Sequence, residues 1–232
     1  MPSSDIAHEF DTIEDTITAF KNGEFIVVLD SLSRENEGDL IIAAESLTPQ
    51  KMAFMIHHTS GLICAPILPS LCKKLQLPQM VTTNEDPNLT AYTISIDASS
   101  PLTTTGISAH DRSLTCTTLA KPDVQVSDFR RPGHVFPLMA KEGGIRQRRG
   151  HTEAATEFCR LAGVREVGVI SELVEAGSEV PGRAERTETS MMRRDGCLAF
   201  GKKFGLKVCT IEDLVEYVEK REGKLVLKNG GS

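Results

Sequence analysis

Hydrophobic positions along the chain follow two rhythms in turn, a helical spacing and short apolar runs or alternations of strand type. Ile13, Ile17 and Phe20 share one helical face, which Asp11 and Glu14 open as a capping box and Asn22-Gly23 closes. Two strand-like runs follow, Phe25 to Leu29 and Leu40 to Ala44, with a polar stretch between them. Thr48-Pro49 opens a helix to about His57, Gly61 ends it, and Leu62 to Ala65 reads as a short strand. A brief helical piece and a Pro/Asn-rich connection fill Leu68 to Asn88. They lead to Tyr92-Thr93-Ile94-Ser95-Ile96, whose alternation predicts a half-buried strand.

Ser108 and Asp111 then cap a helix to about Leu119, and a loop through Pro122 and Arg131-Pro132-Gly133 ends at His134. The strand Val135 to Met139 follows, and Pro137 predicts that it is an edge or irregular strand. From Thr152, the residues Ala154, Ala155, Phe158, Leu161 and Ala162 make one helical face closed by Gly163. Val167 to Ile170 is a strand that delivers Glu172 at its end, and the polar segment 177–188 reads as an inserted surface loop. A helix ending near Gly205, a strand Lys207 to Cys209 and a helix capped by Thr210 and Asp213 complete the pattern.

Strands alternating with helices, but with two adjacent strands near the start, predict an α/β (α+β) chain with helices covering a mixed sheet. One domain over 1–232 is expected, with 1–9 and 228–232 as flexible tails. The G-x-G-x-x-G fingerprint and the P-loop are both missing, so nucleotide binding has no local support. At 232 residues, 40% apolar and 25% charged, the composition is that of an ordinary globular protein. No apolar run reaches membrane-spanning length and Met1 to Glu9 does not read as a signal peptide, which predicts a cytoplasmic protein without a membrane partner. Cys64, Cys72, Cys116, Cys159, Cys197 and Cys209 form no C-x-x-C pair and read as free, mostly buried thiols. A net charge of −6 argues against nucleic acid as a main partner, leaving Arg130-Arg131, Arg146 to Arg149 and Arg193-Arg194 as local anion sites.

The candidate chemistry begins in the stretch Asp30-Ser31-Leu32-Ser33-Arg34-Glu35-Asn36-Glu37-Gly38-Asp39 between the first two strands. Glu35, Glu37 and Asp39 occupy every second position. An extended backbone would point all three carboxylates to one face about 6.6–6.8 Å apart. At an effective dielectric near 20, neighbouring anions at roughly 7 Å repel by about 2.4 kcal/mol. Arg34 alone, or Arg34 with a divalent cation, would offset this, and hard oxygen ligands suit magnesium or manganese. A solvated surface turn is the alternative; Gly38 and the flanking apolar runs favour a loop rooted on a rigid sheet.

A second constellation, Gly143-Gly144-Ile145-Arg146-Gln147-Arg148-Arg149-Gly150-His151-Thr152, feeds directly into a helix N-terminus. Free amides, the positive dipole end, the Thr152 hydroxyl and guanidinium groups together suit a phosphate, unless the stretch is an exposed basic turn with Thr152 as a cap. His151 could offer a ring nitrogen to a metal beside the acidic loop. His134 at a strand entry and Glu172 at a strand end stand where rigid elements present acid–base groups, though local hydrogen bonding would explain either. Cys64 lies in apolar surroundings and reads as a buried thiol rather than a nucleophile.

Taken in order, Arg34-Glu35-Asn36-Glu37-Gly38-Asp39-Leu40, Ser60-Gly61-Leu62-Ile63-Cys64, Thr104-Thr105-Gly106-Ile107-Ser108-Ala109-His110-Asp111-Arg112, Arg131-Pro132-Gly133-His134-Val135-Phe136-Pro137-Leu138 and Arg148-Arg149-Gly150-His151-Thr152-Glu153-Ala154 resemble the 3,4-dihydroxy-2-butanone 4-phosphate synthases. The resemblance implies a three-layer α/β/α fold around a mixed sheet, and homodimers with active sites near the subunit interface. It implies conversion of D-ribulose 5-phosphate into L-3,4-dihydroxy-2-butanone 4-phosphate and formate in riboflavin biosynthesis, with Mg2+ or Mn2+ and no organic cofactor. Glu35 and His151 are the implied metal ligands, and Arg148, Gly150 and Thr152 the implied phosphate contacts. Arg34, Asp39 and Thr105 are implied to touch substrate, as are Glu35, His151 and Glu172. His134 and Glu172, with Asp39, are the implied acid–base groups. The 177–188 insertion is longer than the family pattern, and no cyclohydrolase domain is expected to follow. A metal-dependent sugar-phosphate isomerase and a non-catalytic phosphoanion- or RNA-binding module are the alternatives.

Overall fold

The computed structural model of the protein describes residues 9–225, so the expected tails lie outside the described residues except for Glu9. A hairpin of β1 (Ile26–Leu29) and β2 (Gly38–Ala43) carries the acidic loop at its turn. Every residue of both strands is buried. Alternate residues serve two cores: Val27, Leu29, Leu40 and Ile42 face one, while Ile26, Val28, Ile41 and Ala43 face the other. Burial on both faces is why these segments are continuous apolar runs rather than alternations.

Five more strands complete a single sheet: β3 (Cys64–Ile67), β4 (Ile96–Ala98), β5 (Phe129–Met139), β6 (Gly168–Glu172) and β7 (Lys207–Thr210). Their order is β4-β5-β3-β6-β2-β1-β7, with β1/β7 and β3/β5 parallel and the remaining neighbours antiparallel. One face is packed by α1 (Ile13–Lys21), α5 (His151–Ala162) and α7 (Ile211–Glu222), whose Phe20, Phe158 and Leu214 join one core. The other is covered by α2 (Pro49–His58), α3 (Pro69–Lys74), α4 (Ala109–Leu119) and α6 (Arg194–Phe204), through residues such as Met55, Cys72, Leu119 and Phe200. The three-layer α/β/α arrangement around a mixed sheet is therefore observed. Among the described residues no helix is long and apolar enough to cross a membrane.

Several local expectations need correction. Tyr92–Ile96 is not a regular strand: Tyr92 and Thr93 make isolated bridges, and β4 starts only at Ile96. β5 begins at Phe129, six residues before the expected Val135, so His134 sits inside a strand. Pro137 is nevertheless well placed. Its carbonyl faces the irregular side, where Thr93 N donates to it, so no regular ladder bond is lost by its missing N–H. Thr12, not Asp11, caps α1; Asp11 instead accepts from Lys207 Nζ and Val208 N and ties the helix entrance to β7. Gly150, not Thr152, is the N-cap of α5. The 177–188 segment is largely exposed, as expected of an insertion, and is pinched by a bridge between Glu179 and Arg186.

Candidate active site

The acidic loop does not take the extended form its alternation suggests. Residues 32–35 form a turn and Asn36 adopts a left-handed backbone with φ 55°, so Glu35 and Glu37 are not on one strand face. The loop instead wraps round Asp30 at the end of β1. Its carboxylate accepts from Glu35 N, Glu37 N and Arg34 Nη1, each at 2.9 Å. Arg34 Nη1 also reaches Glu35 Oε2 at 2.5 Å, while Glu37 turns away toward Arg193, 3.5 Å distant. Gly38 lets the loop approach α6, since a Cβ there would lie 2.5 Å from Cys197 Sγ.

Asp39 re-enters the sheet in β2, directly opposite Glu172 at the end of β6. Glu172 is steadied by the Ser60 hydroxyl, which donates to Oε2 at 2.7 Å. Over this row stands the start of α5. His151 is 5% exposed and its Nε2 donates to the Val28 carbonyl at 3.1 Å, which turns Nδ1 toward the carboxylates. Nδ1 lies 3.5 Å from Asp39 Oδ1 and 3.7 Å from Glu35 Oε2, ion-pair rather than hydrogen-bond distances.

The charges respond accordingly. His151 beside it, working against burial and aided by Arg34, holds the Glu35 carboxyl down to about 2. Burial pushes the Asp39 carboxyl up, with Glu172, Glu35 and Asp30 adding to the effect and His151 opposing it. Burial pulls the His151 ring down, but Asp39, Glu35 and Asp30 outweigh it and raise its pKa.

Arg148 closes the other side. Its Nη1 donates to the buried Glu153 at 2.6 Å, its Nη2 to Thr90 Oγ1 at 3.0 Å and its Nε to the Asn88 carbonyl at 3.0 Å. Gly150 is needed here for close approach rather than for φ. A Cβ at that position would strike Arg148 Nη1 and lie 3.2 Å from Arg34 Nη2. Arg34, Glu35, Asp39, Arg148, His151, Thr152 and Glu172 thus border one cleft of about 120 Å³, at the first turn of α5. Cavities of about 600 and 660 Å³ lie elsewhere, but neither is lined by a buried side-chain oxygen that lacks a hydrogen-bond partner among the described residues; this cleft is, at Asp39 Oδ1, while Thr103 Oγ1, also without a partner, lies outside all three. Cys64 borders it too as a buried thiol whose pKa burial raises, in keeping with its reading as no nucleophile.

His134 and Thr105 are not in that cleft. β3 lies between β6 and β5, so His134 stands two strand spacings, about 9–10 Å, from the strand of Glu172. There it forms a second cluster. Asp97, 5% exposed, accepts the His134 backbone N–H at 2.8 Å and lies 2.9 Å from ring Nδ1, leaving Nε2 as the available nitrogen. Gly106, at φ +93°, lays the 103–107 turn against this pair; a Cβ there would lie 2.7 Å from His134 Nδ1. Asp111 fixes the same turn, accepting from Thr104 Oγ1 at 2.6 Å, Thr104 N at 3.1 Å and Gly106 N at 3.0 Å. Thr105 is exposed at its crest.

Sequence reading missed Asp30, Asn88, Asp97 and Glu153. Asp30 and Glu153 stand inside the quoted stretches but are given no role there, and Asp97 falls next to the alternating Tyr92–Ile96 segment. No local signal separates any of the three from an ordinary surface acid.

Donor atoms of Asp30, Glu35 and His151 lie within 4.8 Å of one another. Two carboxylates and an imidazole with a free Nδ1, beside an unpartnered Asp39 oxygen, are a donor set that fits a hard divalent cation.

Residues 14–217 match the family described as 3,4-dihydroxy-2-butanone 4-phosphate synthase. A synthase of that name from Pyricularia oryzae is 63% identical over 233 residues, covering 100% of both chains. Another, from Schizosaccharomyces pombe, is 47% identical over 212 residues, 90% of this chain and 98% of that one. A crystal structure of such a synthase in complex with two magnesium ions superimposes with a TM-score of 0.92 at 66% identity, covering 93% of this chain and 100% of the other. These relatives lend nothing to the isomerase and RNA-binding alternatives. On the extent and identity of these matches, the protein belongs to the 3,4-dihydroxy-2-butanone 4-phosphate synthase family.

Proposed function

We propose that the protein is a divalent-metal-dependent lyase of riboflavin biosynthesis that converts D-ribulose 5-phosphate into L-3,4-dihydroxy-2-butanone 4-phosphate and formate in the cytoplasm. The observation that carries this reading is the convergence of Glu35, Asp39 and His151 with Arg148 and the N-terminus of α5 on one small cleft. Arg148, the Thr152 hydroxyl and the first amides of α5 hold the phosphate, aided by the positive end of the helix. Glu35 and His151 Nδ1 hold Mg2+ or Mn2+, which supplies a positive charge for negative charge developing on the sugar oxygens. Arg34 and Asp39 contact the sugar.

The chain's own groups move the protons. Removal of the C3 proton gives an enediol, and loss of the C1 hydroxyl as water gives a dicarbonyl. Rearrangement joins C3 to C5, and C4 leaves as formate after taking up water, so the atoms of substrate and products balance. Glu172, oriented by Ser60, and His134 Nε2, oriented through Asp97, are the acid–base groups.

Because His134 and Thr105 lie outside the cleft of their own chain, the same reading makes the protein a homodimer in which one subunit's 103–107 turn and His134 complete the other's cleft. Exposed apolar side chains flank that turn: Leu102 is 67% and Ile107 50% exposed. The test is formate release from ribulose 5-phosphate, expected with Mg2+ and lost on chelation. Metal-independent formate release, or isomerised sugar phosphate without formate, would sink the reading.

A further inference from the structure

One residue touches both halves of the cleft and belongs to neither. Asn88 donates its side-chain Nδ2–H to Glu35 Oε1 at 2.7 Å, and its backbone carbonyl accepts from Arg148 Nε at 3.0 Å. It thereby grips the carboxylate oxygen facing away from His151, because the other oxygen, Oε2, is the one 3.7 Å from Nδ1. Arg34 Nη1 holds Oε2 at 2.5 Å from the other side, so the carboxylate cannot turn freely about its last bond and Asn88 shares with Arg34 in setting the direction in which Glu35 presents Oε2.

Asn88 is itself held by a strap built from residues 84–90. Asn84 Nδ2 donates to the Thr90 carbonyl at 2.9 Å, Asp86 N to Asn84 Oδ1 at 2.9 Å and Thr90 N to Asp86 Oδ2 at 2.8 Å. Leu89 takes a left-handed backbone, φ 52°, although it is neither glycine nor asparagine. Such a backbone persists only where its surroundings enforce it. Arg148 supplies part of that enforcement, since its Nη2 donates to Thr90 and its Nε to Asn88. Arg148, the strap and the Glu35 carboxylate are thus joined in one run of hydrogen bonds.

We infer that Asn88 is a positioning residue that couples the Glu35 half of the cleft to the Arg148 half, so that a divalent cation and a phosphate bind cooperatively. The inference rests on the assignment of Glu35 to the metal and Arg148 to the phosphate made above. It assigns Asn88 no contact with the reacting atoms.

The test is Mg2+ affinity by calorimetry, with and without inorganic phosphate, for the wild-type protein, Asn88→Ala and Glu35→Gln. In the wild type phosphate is expected to tighten Mg2+ binding, in part by direct attraction between the two ions. Asn88→Ala leaves that attraction intact but removes the link, so Mg2+ binds about 3- to 10-fold more weakly and the tightening factor shrinks. If Glu35→Gln loses Mg2+ while Asn88→Ala keeps both values within about twofold of wild type, the coupling role is wrong and the metal assignment stands. If Glu35→Gln binds Mg2+ as the wild type does, the metal assignment fails and this inference with it. A measurement on the unaltered protein gives a second check: Mg2+ alone should slow amide hydrogen exchange at residues 88–90. Unchanged exchange there on Mg2+ binding overturns the coupling.

Discussion

The cleft at the start of α5 and the cluster around His134 hold similar groups in opposite states. In the cluster every acid is answered: Asp97 takes two hydrogen bonds from His134, and Asp111 takes three from the 103–107 turn. In the cleft Asp39 and Glu35 stand at ion-pair distance from one imidazole, and a buried Asp39 oxygen has no hydrogen bond from the described residues. Carboxylates whose hydrogen bonds are made are fixed and can orient one histidine, whereas a buried carboxylate oxygen without one is open to a ligand; the orphaned buried Thr103 Oγ1 of the turn is a neutral hydroxyl and carries no such charge. The two states fit two different tasks, pointing a proton-transfer group in one case and receiving a charged substrate with its cation in the other.

The sharpest way to break that comparison is to disable each region separately. Glu35→Gln keeps the shape and removes the charge, so formate release should fall by at least about 100-fold through lost electrostatic stabilisation. His134→Ala should lower it by about 100- to 10,000-fold if His134 is the proton-transfer group proposed above. If the two regions meet only across a dimer, refolding the two variants together should restore activity, because one site of each mixed dimer then has both groups intact. About a quarter of wild-type activity is expected from random pairing of equal amounts. Activity no higher than that of either variant would place His134 in the service of its own chain, or nowhere. Light scattering on the wild type should first show twice the 25.3 kDa chain mass.

How much of this was legible in the sequence differs between the two regions for a physical reason. β1 and β2 were readable because strands buried on both faces must be apolar throughout. The caps of α2, α4 and α7 were readable because Thr48, Ser108 and Thr210 accept from amides only three residues away. Glu35, Arg148 and His151 stood out as dense charge in short stretches, and those stretches do converge. The failures are long-range or conformational. Asp97 and His134 are 37 residues apart and meet only because β4 pairs with β5 out of regular register. Asp30 organises the acidic loop through bonds to Arg34, Glu35 and Glu37 that exist only once Asn36 turns left-handed. The even spacing of Glu35, Glu37 and Asp39, which suggested a single acidic face, is undone by that one residue.

A smaller effect separates phosphate binding from metal binding inside the cleft. Arg148→Ala removes the guanidinium together with its hydrogen bonds to Glu153, Thr90 and Asn88. Ribulose 5-phosphate should bind more weakly by about 1.5–3 kcal/mol without Mg2+, the range for charge-assisted hydrogen bonds, and by more with Mg2+ present, because the link through Asn88 is lost with the guanidinium. Turnover should fall as well, since binding energy at the remote phosphate helps to orient the reacting carbons. Calorimetry with and without Mg2+ checks both halves of the claim. Normal substrate affinity would remove Arg148 from the phosphate site.

The smallest effect concerns Asp111 and the 103–107 turn and reads in stability rather than turnover. Burial raises the Asp111 carboxyl, but donation from the Thr104 hydroxyl and amide and from Gly106 N outweighs it and holds its pKa below the usual range. A depressed carboxylate contributes stability that is present above its unfolded pKa, about 3.9, and is lost as pH falls through the lower folded value. Asp111→Asn removes that charge and sets an amide against donors, so it should melt several degrees below wild type at pH 7, at roughly 2–4 °C for each kcal/mol in a chain of this length. The gap should narrow as the pH falls below about 3.9, where the unfolded chain takes up a proton before the folded wild-type carboxylate does. Melting curves of both proteins from pH 7 to pH 2 decide the matter. A gap that stays constant over the whole range would mean that Asp111 holds the 103–107 turn by shape alone, and its charge would then have no part in keeping Gly106 against the Asp97–His134 pair.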